Sequence, residues 1–155
     1  LIPILILKKN IIGQKGKSMA SKIFLDANVI LEYFLKREKQ NESRAIFLQI
    51  QEGLVRGFTT SSVVQTCGYF LIKSVGKETT REILLNMLRY ITIIDCGHET
   101  VVLALNSIIS DPEDAIQYHS ALVHNIEFYI TFDKELIKYS ASHLPIMTPD
   151  EFLNS

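Results

Sequence analysis

The stretch KIFLDANVILEYF, residues 22–34, runs from a short strand straight into a helix. KIFLD is rich in β-branched and aromatic residues, and this predicts a buried strand that ends at Asp26. In the residues that follow, Val29, Ile30, Tyr33 and Phe34 recur at three- and four-residue steps, which predicts an amphipathic helix. A strand followed at once by a helix is the building unit of parallel α/β sheets, because parallel neighbours need long crossovers.

The same alternation continues along the chain. A second helix is predicted with Asn41 as its cap and Gly53 near its end, and a third with Ser61 or Ser62 as its cap and Gly76 at its end. Later helices are predicted in KETTREILLNMLRYI, ETVVLALNSII, DPEDAIQYHSALV and KELIKYS, and later strands in GFTT, ITIID, EFYIT and LPIMT. The pattern predicts an α/β fold with a parallel sheet covered by helices.

Length and composition fit one globular domain. The chain has 155 residues, of which 47% are hydrophobic, and its two cysteines show no CxxC spacing. Cysteines in this arrangement favour a reducing cytoplasm, and the opening run LIPILIL is too short to span a bilayer. We therefore expect a soluble, cytoplasmic protein without a membrane partner. Residues 1–18 carry four lysines and no acid, ahead of a good start at Met19. We interpret them as a non-native or disordered extension, with a membrane-touching or partner-binding tail as the alternative, and residues 19–155 as a single domain.

The charge balance constrains the partners. Removing the four lysines of residues 1–18 takes the formal net charge from −1 to −5. Nucleic-acid binding relies on contacts from lysine and arginine to phosphates. An acidic domain of this kind would therefore need a local basic patch or metal ions to hold a polyanion.

Three acids stand where the predicted strands and helices meet. Asp26 ends the first strand, Asp133 follows EFYIT, and Asp114 lies in the first turn of the preceding helix. Because ligands collect beyond the carboxyl ends of parallel strands, all three side chains could face one crevice. Clustered carboxylates repel one another unless they share a cation, and Mg²⁺ prefers such oxygen ligands, often together with a substrate phosphate. Each acid could instead act only as a helix cap or first-turn acid, as Asp111 does in the simplest interpretation.

Three segments together resemble a known family. IFLDANVIL, with Asn28 two positions after Asp26, resembles the opening signature of PIN domains. DPEDAIQYHSAL resembles the segment that carries their later acidic ligand, here Asp114, and FYITFDKEL resembles their closing strand, here with Thr131 and Asp133. The resemblance covers about residues 21–153.

The resemblance implies a PIN-like fold, a three-layer α/β/α sandwich with a central, mostly parallel sheet. It also implies a Mg²⁺- or Mn²⁺-dependent ribonuclease site. It gives Asp26, Asp114 and Asp133 the catalytic, metal-binding role, with Asn28 and Thr131 in support. Many small members are toxins of bacterial toxin–antitoxin pairs and dimerise, so RNA, an antitoxin protein and a second copy of the chain are the implied partners.

One position departs from the family pattern. Better-known toxin members carry a glutamate ligand where this chain has Cys67, and a neutral thiol is a poor ligand for Mg²⁺. Glu113 is a further candidate metal ligand that could replace the missing acid. The alternative function is a catalytically impaired PIN-fold module that binds RNA or a protein. A response-regulator-like pocket is a third interpretation, disfavoured because no later lysine partner is recognised.

Overall fold

The computed structural model describes residues 19–155, so the predicted extension over residues 1–18 lies outside the described residues. Five strands alternate with eight helices in this part of the chain. The elements are β1 (Ser21–Leu25), α1 (Ala27–Phe34), α2 (Gln40–Gln51), β2 (Val55–Thr59), α3 (Ser61–Val75), α4 (Lys77–Met87), β3 (Ile91–Ile93), α5 (His98–Leu105), α6 (Pro112–Val123), β4 (Phe128–Ile130), α7 (Lys134–Ile137), β5 (Ile146–Met147) and α8 (Pro149–Leu153).

All five strands form one parallel sheet in the order β3-β2-β1-β4-β5. The two central strands are in register so that Ile23 pairs with Phe128 and Leu25 pairs with Ile130. From β1 the sheet extends through β2 to β3 on one side, and through β4 to β5 on the other. The reversal point of a doubly wound sheet therefore lies between β1 and β4, where ligand crevices form.

The strand order also determines the helix layers. Right-handed crossovers from β1 to β2 and from β2 to β3 put α1 to α4 on one face of the sheet, and the crossover from β3 to β4 puts α5 and α6 on the other. Helix contacts agree with this division, because α1 packs on α2 and α3, while α5 packs on α6. The predicted α/β/α sandwich with a central parallel sheet is confirmed.

The core lies between the sheet and these helices. Phe24 and Tyr129, on adjacent central strands, are fully buried and stack with ring centroids 4.6 Å apart. Burial of such large aromatic side chains is a major source of stabilisation. Among residues 19–155, no helix is long and apolar enough to cross a membrane.

Helix boundaries required two corrections. Thr60, and not Ser61 or Ser62, caps α3, because its hydroxyl accepts the Val63 N–H at 3.3 Å. The helix α2 begins after Lys39 without a side-chain cap, so the predicted Asn41 cap is wrong. Just before the helix, the Lys39 N–H donates to the Glu32 carboxylate of α1 at 2.8 Å.

Other predicted boundaries agree with the structure. Gly53 follows the end of α2 with φ +74°, a left-handed conformation that glycine adopts without steric cost. The end of α3 at Gly76 is likewise as predicted. Asp111 caps α6, where its carboxylate accepts the Asp114 N–H at 3.0 Å.

Candidate functional site

Asp26 lies where the sheet order reverses. It follows the last residue of β1, and its backbone N–H continues the parallel ladder by donating to the Ile130 carbonyl at 3.1 Å. The next residue of the neighbouring strand is Thr131, so the in-register pairing of β1 with β4 brings these two side chains together. Both are buried, Asp26 at 8% and Thr131 at 0% exposure.

Three donors hold the Asp26 carboxylate. The Thr131 hydroxyl donates to Oδ2 at 2.8 Å, and the Asn28 amide donates to the same oxygen at 3.2 Å. The Ala27 N–H donates to Oδ1 at 2.7 Å, which makes Asp26 the N-cap of α1. Capping and membership of a polar cluster therefore coexist at this residue.

Asn28 and Thr131 extend the network to Asp133. The Thr131 hydroxyl accepts the Asp133 N–H at 3.0 Å, and the Asn28 Oδ1 accepts the Phe132 N–H at 3.1 Å. These bonds fix the backbone just before Asp133, whose own carboxylate caps α7 by accepting the Glu135 N–H at 2.8 Å. The structure thus connects Asp26 to the residues predicted to support it.

Asp114 and Glu113 enter from the first turn of α6. Proline at the start of this helix and the Asp111 cap fix where the turn begins. Asp114 is half-buried, and its carboxylate receives no hydrogen bond from residues 19–155. Asp114 is therefore the acid of the site whose carboxylate is least stabilised by hydrogen bonds from the described residues.

The charges of Asp133 and Glu113 act on both Asp26 and Asp114. Burial, and then the charges of Asp133 and Glu113, raise the pKa of Asp26 to about 6 against the opposing bonds from Thr131 and Ala27. Burial, followed by the charges of Asp26, Asp111, Asp133 and Glu113, raises the pKa of Asp114 to about 7.

The one ion pair in residues 19–155, Lys138 with Glu135, involves none of these acids. Within the described residues, therefore, no lysine or arginine forms an ion pair with these acids.

Cys67 lies close to the same region, next to the residue that follows Asp26. It is fully buried on α3, and its thiol contacts the Ala27 carbonyl at 4.0 Å. Burial, and secondarily the charge of Asp26, raise the pKa of the Cys67 thiol to about 12. The thiol stays neutral at ordinary pH and is unsuited to bind a hard cation.

A buried hydrogen-bonded chain lies beside the acids, and sequence reasoning did not find it. The Tyr129 hydroxyl donates to Gln117 Oε1 at 2.9 Å, and Gln117 Nε2 donates to Glu113 Oε1 at 3.0 Å. The Thr66 hydroxyl approaches the same Glu113 oxygen at 3.4 Å. One indication in the sequence was a glutamine four positions after Glu113, on the face of α6 that also carries Ala121.

The donor set matches a hard divalent cation in its chemistry. Carboxylate oxygens are the ligands that Mg²⁺ and Mn²⁺ take, and a shared cation would offset both the burial and the neighbouring negative charges that raise the pKa values of Asp26 and Asp114. Among residues 19–155, however, no three acidic, histidine or cysteine side chains converge as a ready-made metal cluster. A Mg²⁺ site commonly needs only one or two carboxylates, with water as the remaining ligands. The residues present fit such a water-rich site.

Fold and site together define a doubly wound α/β protein with an acidic crevice at the point where its sheet reverses. A family model described as PIN domain matches residues 22–135. The chain belongs to the PIN domain family. The matched range contains every acid of the site.

Solved structures share the fold at low sequence identity. The toxin VapC20 of Mycobacterium tuberculosis, described as cleaving the sarcin-ricin loop, is 10% identical with a TM-score of 0.59, over 74% of this chain and 92% of its own. VapBC2 of Rickettsia felis, solved with a DNA fragment from its promoter, is 18% identical with a TM-score of 0.58, over 80% of this chain and 96% of that one. No curated protein sequence gives a significant match.

Proposed function

We propose that this protein is a metal-dependent endoribonuclease that hydrolyses RNA phosphodiester bonds, and that it serves as the toxin of a toxin–antitoxin pair. The observation that carries the proposal is the position of Asp26 where the sheet order reverses, hydrogen-bonded to Thr131 and so linked to Asp133, with the charges of both acids also acting on Asp114. Membership of the PIN family and the shared fold with a toxin described as cleaving the sarcin-ricin loop support it.

In this proposal Asp26, Asp114 and Asp133 would hold Mg²⁺ or Mn²⁺, with Glu113 as a further ligand. A bound ion of this kind supplies positive charge next to the phosphate and lowers the pKa of a bound water. The chain itself contributes orientation. Thr131 and Asn28 fix the rotamer of Asp26, and the Asp133 N–H is tied to the Thr131 hydroxyl, so both acids keep their positions before substrate arrives.

RNA cleavage by the purified chain tests the activity. Structured and single-stranded RNAs are incubated with Mg²⁺, with Mn²⁺ or with EDTA, and the products are resolved on denaturing gels. We expect cleavage that needs the metal and is lost in Asp26→Asn and Asp114→Asn. Asp150→Asn is the matched control, because Asp150 is a first-turn acid of α8 outside the cluster. Cleavage that continues in EDTA, or that survives Asp26→Asn, would refute the proposal.

Cys67 favours a second candidate function, a PIN-fold module that binds RNA or a protein without cutting. The residue is neutral and fully buried where the related toxins would have an acidic ligand. This function predicts RNA binding in a gel-shift assay with no products in any metal. Products that accumulate with multiple turnovers would exclude it.

An antitoxin is the proposed protein partner. Support comes from the shared fold with VapBC2, whose structure contains its promoter DNA. The experiment co-expresses this chain with the product of the adjacent reading frame and measures growth and complex formation. Relief of growth inhibition together with co-purification is expected. A toxic chain that neither binds nor is neutralised by that product would contradict the pairing while leaving the nuclease assignment standing.

We also propose a homodimer. Apolar side chains on the two packed helices α3 and α4 are exposed, including Tyr69 at 58% and Leu85 at 64%. Burial of such side chains against a second copy would stabilise the pair. Sedimentation velocity should give a dimer mass for the wild-type chain and a monomer for Leu85→Lys. A wild-type monomer at tens of micromolar would contradict it.

A further inference from the structure

Two features of the site need a common explanation. Cys67 leaves the α3 side of the crevice without a carboxylate, and Glu113 reaches toward α3 from the opposite helix layer. Thr66, the residue just before Cys67, makes the contact between α3 and Glu113. The Thr66 hydroxyl lies 3.4 Å from Glu113 Oε1. The carboxylate of Glu113 is thus held beside the helix that lacks an acid.

The hydrogen-bonded chain that runs from Tyr129 through Gln117 to Glu113 has a fixed donor-to-acceptor direction. An ionised carboxylate only accepts hydrogen bonds, so Gln117 must present its amide nitrogen to Glu113 and its oxygen to Tyr129. Tyr129 must then be the donor at the other end. Gln117 is 1% exposed and Tyr129 is fully buried, so neither side chain can turn to water instead.

These hydrogen bonds restrain one carboxylate oxygen of Glu113 and leave the other available to bind a cation. Both donors, Gln117 and Thr66, approach Oε1. Within residues 19–155, Oε2 accepts no hydrogen bond. A carboxylate held by one oxygen and open at the other is how surrounding side chains orient a metal ligand.

We propose that Gln117, itself fixed by Tyr129, positions Glu113 as the acidic ligand that replaces the one missing at Cys67. Gln117 and Tyr129 are positioning residues, since they act through Glu113. This inference rests on the metal-binding part of the proposed function and adds to it the residues that complete the site.

The test measures Mg²⁺ affinity by isothermal titration calorimetry on the full chain without RNA. Gln117→Met keeps the side-chain length and removes both hydrogen bonds, and loss of such an orienting partner typically weakens metal binding about tenfold. Glu113→Gln is expected to weaken it at least as much. The double variant is expected to bind no more weakly than Glu113→Gln alone, because Gln117 has no other route to the ion. Tyr129→Phe should cause a smaller loss that disappears in the Gln117→Met background.

Ser120→Ala is the matched control. Ser120 is equally buried on α6 and loses one hydrogen bond, to the Ile116 carbonyl, without contact to Glu113, so its Mg²⁺ affinity should equal that of the wild type. If Gln117→Met does not fold, Tyr129→Phe carries the same test because it removes a single oxygen. Unchanged Mg²⁺ affinity in folded Gln117→Met, losses that multiply in the double variant, or no Mg²⁺ binding by the wild type would each overturn the inference.

RNA cleavage measured on the same preparations separates the two proposals. A wild type that binds Mg²⁺ in a Gln117-dependent manner but leaves RNA intact supports the positioning role and refutes the ribonuclease. A wild type that cleaves RNA while Gln117→Met binds Mg²⁺ normally refutes the positioning role and supports the ribonuclease.

Discussion

Replacing Asp114 with asparagine should stabilise the metal-free protein at alkaline pH. The carboxylate is half-buried, carries a raised pKa of about 7, and makes no hydrogen bond that asparagine would lose within residues 19–155. Asparagine removes the charge and keeps the shape. The variant therefore isolates the cost of holding a negative charge in this crevice.

The magnitude follows from the pKa. Moving from 3.8 in the unfolded chain to about 7 in the folded chain corresponds to about 4 kcal/mol at ~1.36 kcal/mol per pH unit. Because Asp114 is only half-buried, solvent screening reduces this to roughly 1–2 kcal/mol. Loss of a first-turn negative charge costs about 0.3–1 kcal/mol through the helix dipole. We expect a net gain of about 1 kcal/mol at pH 8.

The pH dependence has a definite sign. The folded chain binds the Asp114 proton more tightly than the unfolded chain, so the wild type has its full stability below about pH 4 and loses it as pH rises through about 7. The advantage of Asp114→Asn should therefore be absent near pH 4 and complete at pH 8. Added Mg²⁺ should reverse the order at pH 8, because it stabilises the wild type more than the variant.

Urea unfolding followed by circular dichroism, in EDTA and in Mg²⁺ from pH 4 to pH 8, measures these differences. Asp150→Asn, a first-turn acid of α8 outside the cluster, controls for the helix-dipole cost and should lose a few tenths of a kcal/mol at pH 8. An Asp114→Asn variant that is destabilised at pH 8 in EDTA, or whose advantage does not change with pH, would refute the electrostatic reasoning.

Three further predictions concern the buried groups around Asp26. Thr131→Val should destabilise the metal-free protein by about 1–3 kcal/mol in urea unfolding, because it removes one of the three donors to the buried Asp26 carboxylate and the acceptor of the Asp133 N–H. A change within error would contradict this. Iodoacetamide at pH 8 should label the partly exposed Cys96 in the native protein and leave the buried Cys67 unlabelled until urea is added. Intact mass spectrometry measures the labelling, and native labelling of Cys67 would contradict its burial. Cys67→Glu should lower the thermal midpoint in EDTA, since it buries a carboxylate beside Asp26, and should recover more on Mg²⁺ addition than the wild type does; equal recovery would mean that position 67 does not face the ion.

Much of the fold could be predicted from the sequence, because its determinants are local. Apolar periodicity placed the strands and helices near their observed bounds, and Asp111 with Pro112 marked the start of α6. The acids at strand ends were visible for the same reason, since parallel strands deliver their carboxyl ends to one edge. The predicted caps were wrong, because Thr60 rather than Ser61 or Ser62 caps α3, and α2 begins after Lys39, before Asn41, without a side-chain cap.

Only the tertiary structure decided which side chains meet across the crevice. The pairing of β1 with β4 depends on how the whole sheet is ordered, and the bond from Thr131 to Asp26 spans 105 positions of the chain. The chain from Tyr129 through Gln117 to Glu113 likewise depends on how α6 packs against β4. Sequence periodicity tells which face of an element is buried, while the partner across that face is determined by the packing of the complete core.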